Sequence, residues 1–341
     1  MNTTQSPYPA LLTPELPAMS MMRNRRWLVT GGAGFIGSHL TEALLSLGQS
    51  VTVLDDLSAG YRKNLELAVE LAGEGAAERL NFIEGSIEDP GACRRAAEGA
   101  EFILHHAARA SVPASVERPA EYSRVNAEGF VNILEAARAQ GVRRVIYASS
   151  SAVYGDDPSL PKAEEQAAPC LSPYALTKAV NEMYAELWTR LYGLECAGLR
   201  YFNVFGPRQD PRGAYAAVIP RWIEAVASGA SPILYGDGTA TRDFCSVRNV
   251  VLACLLAATG EDPDIPGNVF NIACGERTSL RELLGLIGGL FAPGREVRAV
   301  HEPARPGDIL HSTASIGRAR RVLGYRPLVS LEEGLREMSG G

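Results

Sequence analysis

The chain has 341 residues, enough for one large domain or two closely joined ones, and its 46% hydrophobic and 21% charged residues are the balance of an ordinary globular protein. A formal net charge of −6 and a pI of about 5.6 argue against a nucleic-acid surface while leaving room for a local basic pocket that takes a phosphorylated ligand. No apolar run reaches the roughly 18–20 residues of a membrane helix. The six cysteines form no C-x-x-C pair and no histidine stands at metal-ligand spacing from them, so free thiols, a cytoplasmic location and no metal site are expected.

In chain order, residues 1–22 (MNTTQSPYPALLTPELPAMSMM) are rich in proline and lack the basic start of a signal peptide, so the expectation is a flexible tail. RWLVTG (26–31) is a short apolar run ending in glycine, the pattern of a buried strand. FIGSHLTEALLSLG (35–48) sets Ile36, Leu40, Ala43, Leu44 and Leu47 on one helical face, with Gly48 closing the helix. SVTVLDD (50–56), NFIEG (81–85), AEFILHHAA (100–108) and VRRVIYASS (142–150) read as further strands, with helical patterns between them, the clearest over 116–140. This alternation predicts an α/β fold of Rossmann type: a doubly wound parallel sheet, covered on both faces, with right-handed crossovers. After about residue 203 the rhythm loosens and proline and glycine become frequent. The expected division is a nucleotide-binding domain over 23–200 and a smaller mixed C-terminal domain over 201–341 that predominantly binds substrate.

VTGGAGFIG (29–37) carries Gly31, Gly34 and Gly37 between a strand and a helix. Gly31 allows a tight turn, Gly34 lets backbone N–H groups approach a pyrophosphate, and Gly37 lets the helix pack closely; the helix N-terminus then favours the anion. Asp55 ends the second strand, where a carboxylate can accept hydrogen bonds from ribose hydroxyls and would repel a 2′-phosphate. Asp56 follows and no arginine stands immediately after, so NAD is favoured over NADP.

YASSSAVYG (147–155) ends the fifth strand, and in an open α/β sheet ligands bind outside the carboxyl ends of the strands. SPYALTKAVNEMYAELW (172–188) opens with Ser172 as a helix cap and Pro173 in the first turn, placing Tyr174 and Lys178 one turn apart on one face. A free tyrosine, with a pKa near 10, is a poor base at neutral pH. A nearby ammonium and a positive nicotinamide ring would favour the phenolate; a pKa near 7 means a shift of about 3 units, roughly 4 kcal/mol. A serine hydroxyl can steady the proton in flight. His105 and His106, at a strand end, are expected to be packed or backbone-bonded.

With these motifs in hand, the chain resembles the extended short-chain dehydrogenase/reductases, and within them the UDP-sugar 4-epimerases, from about residue 25 to about 335. TGGAGFIGSHL, HHAA, YASSSAVYG, SPYALTK, LRYFNVFGPR and GTATRDF carry the resemblance. It implies Tyr174 as acid/base, Lys178 as its partner and Ser150 as the serine of the triad. It also implies cofactor contacts from Phe35, Ile36, Ser58, Gly60, Ser86, Ile87, Ala107, Ala108, Asn126 and Tyr201, with Asn126 touching the cofactor or steadying the helix of Tyr174. Many relatives carry Asp where this chain has Ser86, so Ser86 or the Ile87 backbone would take over near the adenine.

Related dehydratases and decarboxylases carry an acidic residue at the strand end where this chain has Ser151 and Ala152, which leaves hydride out and hydride back as the chemistry. ASVPASVERP (110–119), SSSAVYGDDPSLPK (149–162) and GPRQDPRGAYAAVIPRW (206–222) look most like epimerases acting on UDP-N-acetylglucosamine and UDP-N-acetylgalactosamine. The resemblance implies that Ser111, Ser149 and Ser151 face the sugar and that Arg242 and Arg305 clamp the UDP phosphates, Asn203 adding a donor. Ala217, Val218, Tyr235 and Asp308 are expected at the substrate, and Ser312 is the small residue that leaves room for a 2-acetamido group. It implies a homodimer built as a four-helix bundle from the helices near 116–140 and 172–192. The rivals are a UDP-uronic acid 4-epimerase or another NAD-dependent nucleotide-sugar epimerase or dehydratase, with Arg109 a candidate for a C6 carboxylate, and a nucleotide-sensing regulator. The regulator is disfavoured because Ser150, Tyr174 and Lys178 are all present.

Overall fold

The computed structural model describes residues 5–12, 24–166, 168–211, 216–304 and 310–340. Seven strands form the central sheet: β1 (Arg26–Thr30), β2 (Ser50–Asp55), β3 (Leu80–Glu84), β4 (Phe102–His105), β5 (Arg144–Ser150), β6 (Glu195–Tyr201) and β7 (Val269–Ile272). The helices used below are α1 (Tyr8–Leu12), α2 (Phe35–Ser46), α3 (Arg62–Ala72), α4 (Pro90–Ala97), α5 (Gly129–Gln140), α6 (Pro173–Tyr192) and α7 (Val247–Thr259).

The strands lie in the order β7-β6-β5-β4-β1-β2-β3 and every neighbouring pair is parallel. The direction of winding reverses between β1 and β4, which opens a crevice outside their carboxyl ends. Both faces of the sheet are buried, which is why its strands read as continuous apolar runs. Trp27 and Val29 of β1 join the cluster that includes Leu40 and Leu44 of α2 and Val251 and Leu255 of α7. Leu28, between them, joins the opposite cluster with Cys93 of α4, Phe130 and Leu134 of α5 and Ala185 of α6. A smaller core, with Phe205, Trp222, Phe244, Leu283 and Leu335, gathers the helices Val218–Ala227, Leu280–Phe291 and Leu331–Met338. Among the described residues no helix is long and apolar enough to cross a membrane.

Three observations bear on the expected organisation. The boundary at residue 200 is crossed: α7 and β7 return to the large sheet because Phe270 and Ile272, both fully buried, pair alongside β6. The helix expected over 116–140 is broken into Val112–Glu117, Pro119–Tyr122, a π-turn over Ser123–Glu128 and α5, with Pro119 starting a new piece. The tail is anchored over residues 5–12. There α1 buries Tyr8 and Leu12, an i,i+4 pair, and the Tyr8 hydroxyl lies 2.9 Å from His39 Nδ1 on α2.

Candidate functional site

The glycine turn is dictated by close approaches. Gly31 has φ +70°, and a Cβ on it would stand 2.7 Å from the Ala107 nitrogen. A Cβ on Gly37 would stand 2.0 Å from the Gly31 carbonyl oxygen, so α2 packs directly on the turn. Gly34, which lines the crevice, is the N-cap of α2 and makes no side-chain cap, leaving the first-turn N–H groups of the helix without a competing side chain. Gly31, Gly34, Asp55, Asp56, Ser58, Gly60, Ser86, Ile87, Ala107 and Ala108 line one crevice together. Leu54, Ala59, Gly85, His106, Arg109 and Val125 complete it and were not expected there.

Asp55 sits at the end of β2, with Oδ2 accepting from the Ala33 N–H at 2.9 Å and Oδ1 from Leu57 at 2.8 Å. Burial pushes its carboxyl pKa up, against the pull of those backbone bonds. Each oxygen still has acceptor capacity for a ribose hydroxyl. Asp56 accepts from the Ser58 N–H at 2.9 Å and from its hydroxyl, and Ser86 Oγ accepts from the Glu88 N–H at 3.1 Å. The residues fit a dinucleotide: a glycine turn that a Cβ would fill, an uncapped helix start and a carboxylate one strand over.

The Tyr201 hydroxyl is buried between His106 Nε2 at 2.7 Å and Cys254 Sγ at 3.2 Å, with His106 itself lining the crevice. His105 Nδ1 pairs with Thr30 Oγ1 at 2.8 Å, and burial lowers both histidines, His106 to about 3, so both are neutral.

At the end of β5, Ser150 Oγ accepts from the Ala152 N–H at 3.1 Å and opens the turn Ser151–Tyr154. Ser172 caps α6 by accepting from the Ala175 N–H at 3.1 Å, with Pro173 first in the helix. Tyr174 is in the first turn of α6, and Ser150 is close enough to pull the pKa of its phenol down. Lys178 Nζ donates to the Ala148 carbonyl at 2.8 Å and lies 6.0 Å from the Tyr174 ring centroid. Burial lowers Lys178 to about 8, opposed by Glu182. The expected lowering of the phenol is not seen: burial raises the Tyr174 pKa, and Ser150 only partly offsets it. The ammonium is aimed at a carbonyl, so desolvation dominates.

Asn126 clamps this arrangement from the π-turn. Its Oδ1 accepts from the Arg109 N–H at 2.8 Å, and its Nδ2 donates to the Arg109 carbonyl at 3.0 Å and to Thr177 Oγ1 at 3.1 Å. Thr177 in turn donates to the Tyr174 carbonyl at 2.8 Å. A short segment of crevice wall and the first turn of α6 are thereby tied through one buried amide.

The substrate-facing expectations divide. Ser149 does not face an open site: it is buried and donates to Glu182 Oε1 at 2.5 Å, because alternate residues of β5 point to opposite faces. Ser111 Oγ is taken up as the cap of Val112–Glu117, accepting from the Ala114 N–H at 3.2 Å. Ser151 stands in the turn after β5.

Asn203, Val218, Tyr235 and Arg242 line a cavity of about 410 Å³, joined by Arg221, Trp222 and Leu310, which sequence reasoning missed. Asn203 Nδ2 donates to the Asp243 carbonyl at 3.2 Å, and Arg242 Nη1 to the carbonyls of Thr241 at 2.9 Å and Leu310 at 3.3 Å. Ala217, exposed, precedes Val218 as the N-cap of its helix. Ser312 donates its N–H to the Thr241 carbonyl at 3.1 Å and lies on the strand-like segment beside the cavity. Arg305 and Asp308 lie outside the described residues. Asp243 was also missed: its carboxylate accepts from the N–H groups of Cys274, Gly275 and Ala314 at 3.0–3.1 Å, and burial raises its pKa to about 6.

Residues 27–273 match the model of the NAD dependent epimerase/dehydratase family. The chain belongs to that family. NAD is accordingly its cofactor, and the crevice above is where it fits. A UDP-glucose 4-epimerase of Mycolicibacterium smegmatis is 40% identical over 312 residues, covering 91% of this chain and 96% of that protein. Among solved structures, the UDP-N-acetylglucosamine 4-epimerase from Methanobrevibacter ruminantium, in complex with UDP-N-acetylmuramic acid, matches with a TM-score of 0.86 and 36% identity over 94% of this chain and 98% of that one. The UDP-glucose 4-epimerase of Thermus thermophilus, in complex with NAD, matches with a TM-score of 0.80 and 36% identity, over 92% and 98%. In this family member, Ser150 ends β5, the strand next to β4, and Lys178 of α6 is bonded to that strand's Ala148 carbonyl.

Proposed function

We propose that the protein is a UDP-sugar 4-epimerase that interconverts UDP-N-acetylglucosamine and UDP-N-acetylgalactosamine and also accepts UDP-glucose and UDP-galactose. The observation that carries the reading is Ser150 at the end of β5 with Tyr174 and Lys178 one turn apart on α6, Lys178 bonded to the Ala148 carbonyl of that strand, which is followed by Ser151 and Ala152 rather than a carboxylate. The relatives named above, all 4-epimerases, support the reaction. The preference for an acetamido sugar rests on Ser312, a small residue beside the cavity.

Gly31, Gly34 and the start of α2 would hold the pyrophosphate of NAD, and Asp55 its ribose. Bound NAD supplies a reversible hydride acceptor for carbon 4 of the sugar. Tyr174 Oη takes the proton of the 4-hydroxyl and returns it, with Ser150 steadying the transfer. Lys178 supplies positive charge beside the phenol. Arg242 binds the diphosphate, Arg being suited to bidentate contacts with its oxygens.

The test is to incubate the purified protein with UDP-N-acetylglucosamine, add no NAD, and resolve the products. UDP-N-acetylgalactosamine is the expected product. Turnover of UDP-glucose alone would remove the Ser312 argument and keep the reaction, and turnover of UDP-glucuronate alone would replace the substrate class.

The reading includes a homodimer. A groove between the π-turn and α6 is lined by Ser123, Val131, Leu171, Leu176 and Val180, and Leu171, Leu176 and Met183 are 57%, 54% and 63% exposed. Leu176, Val180 and Met183 form one helical stripe, the kind of apolar face that a second copy covers. Light scattering after size-exclusion chromatography should give twice the chain mass, and Leu176→Arg with Met183→Glu should give the single mass. The six unpaired cysteines support a cytoplasmic location.

A further inference from the structure

Lys178 and Glu182 lie one turn apart on α6. Glu182 is fixed by three hydrogen bonds: Ser149 donates to Oε1 at 2.5 Å, and Arg200 of β6 donates Nε to Oε1 at 2.9 Å and Nη2 to Oε2 at 2.7 Å. The side chains of Arg200 and Glu182 are 9% and 14% exposed. Arg200 is itself held, with Nη1 donating to the Glu164 carbonyl at 3.1 Å and the guanidinium 4.8 Å from the Tyr154 ring centroid. A bidentate pair in a low-dielectric setting is geometrically specific. The carboxylate is therefore locked onto Arg200 and Ser149, one helical turn from Lys178 and close enough to act on its charge.

We propose that Glu182 is a positioning residue whose fixed carboxylate keeps the Lys178 ammonium charged and bonded to the Ala148 carbonyl, where its charge can act on Tyr174. The proposal rests on the reading of Tyr174 as acid/base. Lys178 is nearly buried, and desolvation works against its charged form while Glu182 works for it. From the end of β4 and the residue after it, His105 and His106 face Lys178 and are neutral. Tyr147 of β5 and Cys170 face Glu182, and burial raises both, so neither adds charge at neutral pH. Neutralising Glu182 would leave the Arg200 charge unpaired and remove the one negative charge that favours the Lys178 ammonium, and Lys178 would relieve this by losing its proton. Neutralising Arg200 would leave Glu182 to Lys178 alone, with the opposite effect.

The chain has three lysines, Lys63, Lys162 and Lys178, so the carbon-13 resonances of labelled lysine side chains are few enough to follow by NMR as pH is varied. The enzyme is used as purified, and Lys178→Arg assigns the Lys178 signal. Glu182→Gln should lower the Lys178 midpoint by about one unit, and Arg200→Gln should raise it. The alkaline limb of the kcat/KM profile should move with each. Midpoints unchanged in both variants, or moved the same way, would overturn the proposal and leave the cluster as a fold support. If Arg200→Gln does not fold, Glu182→Asp decides: its midpoint should stay within a few tenths of wild type while that of Glu182→Gln falls, and equal falls in the two overturn the idea. A wild-type protein inactive on every UDP-sugar would defeat the functional reading, and the NMR midpoints would still decide the coupling.

Discussion

The two halves of the site are specified by different parts of the chain's chemistry. In the cofactor crevice the shape comes from backbone: Gly31 against Ala107, Gly37 against the Gly31 carbonyl, Gly60 against Ala33, and the uncapped start of α2. In the substrate cavity it comes from side chains on separate short pieces. Arg242 is on a two-residue strand, Tyr235 is on another short strand, Trp222 is in a helix and Leu310 is in a loop. Where backbone sets the shape, as at these glycines, there is no side chain to trim, so adding a methyl group is enough to break it. A side-chain-built site can be retuned one residue at a time, which suits it to discriminating among sugars. Between the halves, Asn126 and the first turn of α6 hold the reacting groups.

Substitutions can break this contrast in turn. Tyr174→Phe should cut kcat by about 10²–10⁴-fold while retained NAD and the unfolding temperature stay close to wild type, since it removes only the proton carrier between the halves. Loss of bound NAD in that variant would mean the tyrosine shapes the cofactor half as well. Gly37→Ala should fail on the cofactor side: its Cβ meets backbone at 2.0 Å, so stability should fall by at least about 1–3 kcal/mol and the protein should purify without NAD. A stable, NAD-loaded Gly37→Ala protein would refute the backbone account.

Arg242→Ala should act on the substrate side alone, lowering kcat/KM by about 10- to 100-fold, the worth of a charged hydrogen bond of roughly 1.5–3 kcal/mol, with NAD retention unchanged. An equal effect on NAD retention would mean that the halves are not separable. The smallest effect is a pH dependence. Lys178 is charged below about 8 and neutral above it, so activity that needs its charge should be full on the acid side and fall as pH rises through about 8. A kcat/KM profile flat well into the alkaline range would show that the ammonium is not used.

Most of the sheet was legible because its strands are buried on both faces and bounded by glycines and charged residues. Each of the first five was expected within a few residues of where it lies. β7 was not legible. VFNI is four residues long, with Gly267 shortly before it and Gly275 shortly after, and nothing local says that it closes the far edge beside β6. The π-turn that positions Asn126 was hidden inside a helical pattern, because an extra residue in a turn leaves the apolar spacing nearly intact. The tail's Tyr8 and Leu12 carried an i,i+4 signal too short to outweigh the surrounding prolines. Glu182 had a signal in its four-residue spacing from Lys178, which went unused while Ser149 was assigned to the sugar.

The sequence by itself determined what short-range rules can encode. These are the glycine turn between strand and helix, the carboxylate at the end of the second strand, the cap that starts α6, and the one-turn spacing of Tyr174, Lys178 and Glu182. Tertiary structure alone decided which hydroxyl faces which way at the end of β5, how burial raises the Tyr174 phenol and lowers the Lys178 ammonium, and which distant segments meet around Arg242. The reason is physical. Turn and helix geometry follow from neighbours along the chain, whereas desolvation and charge pairing depend on groups far apart in it, such as Glu182 and Arg200, that meet only once the core has formed.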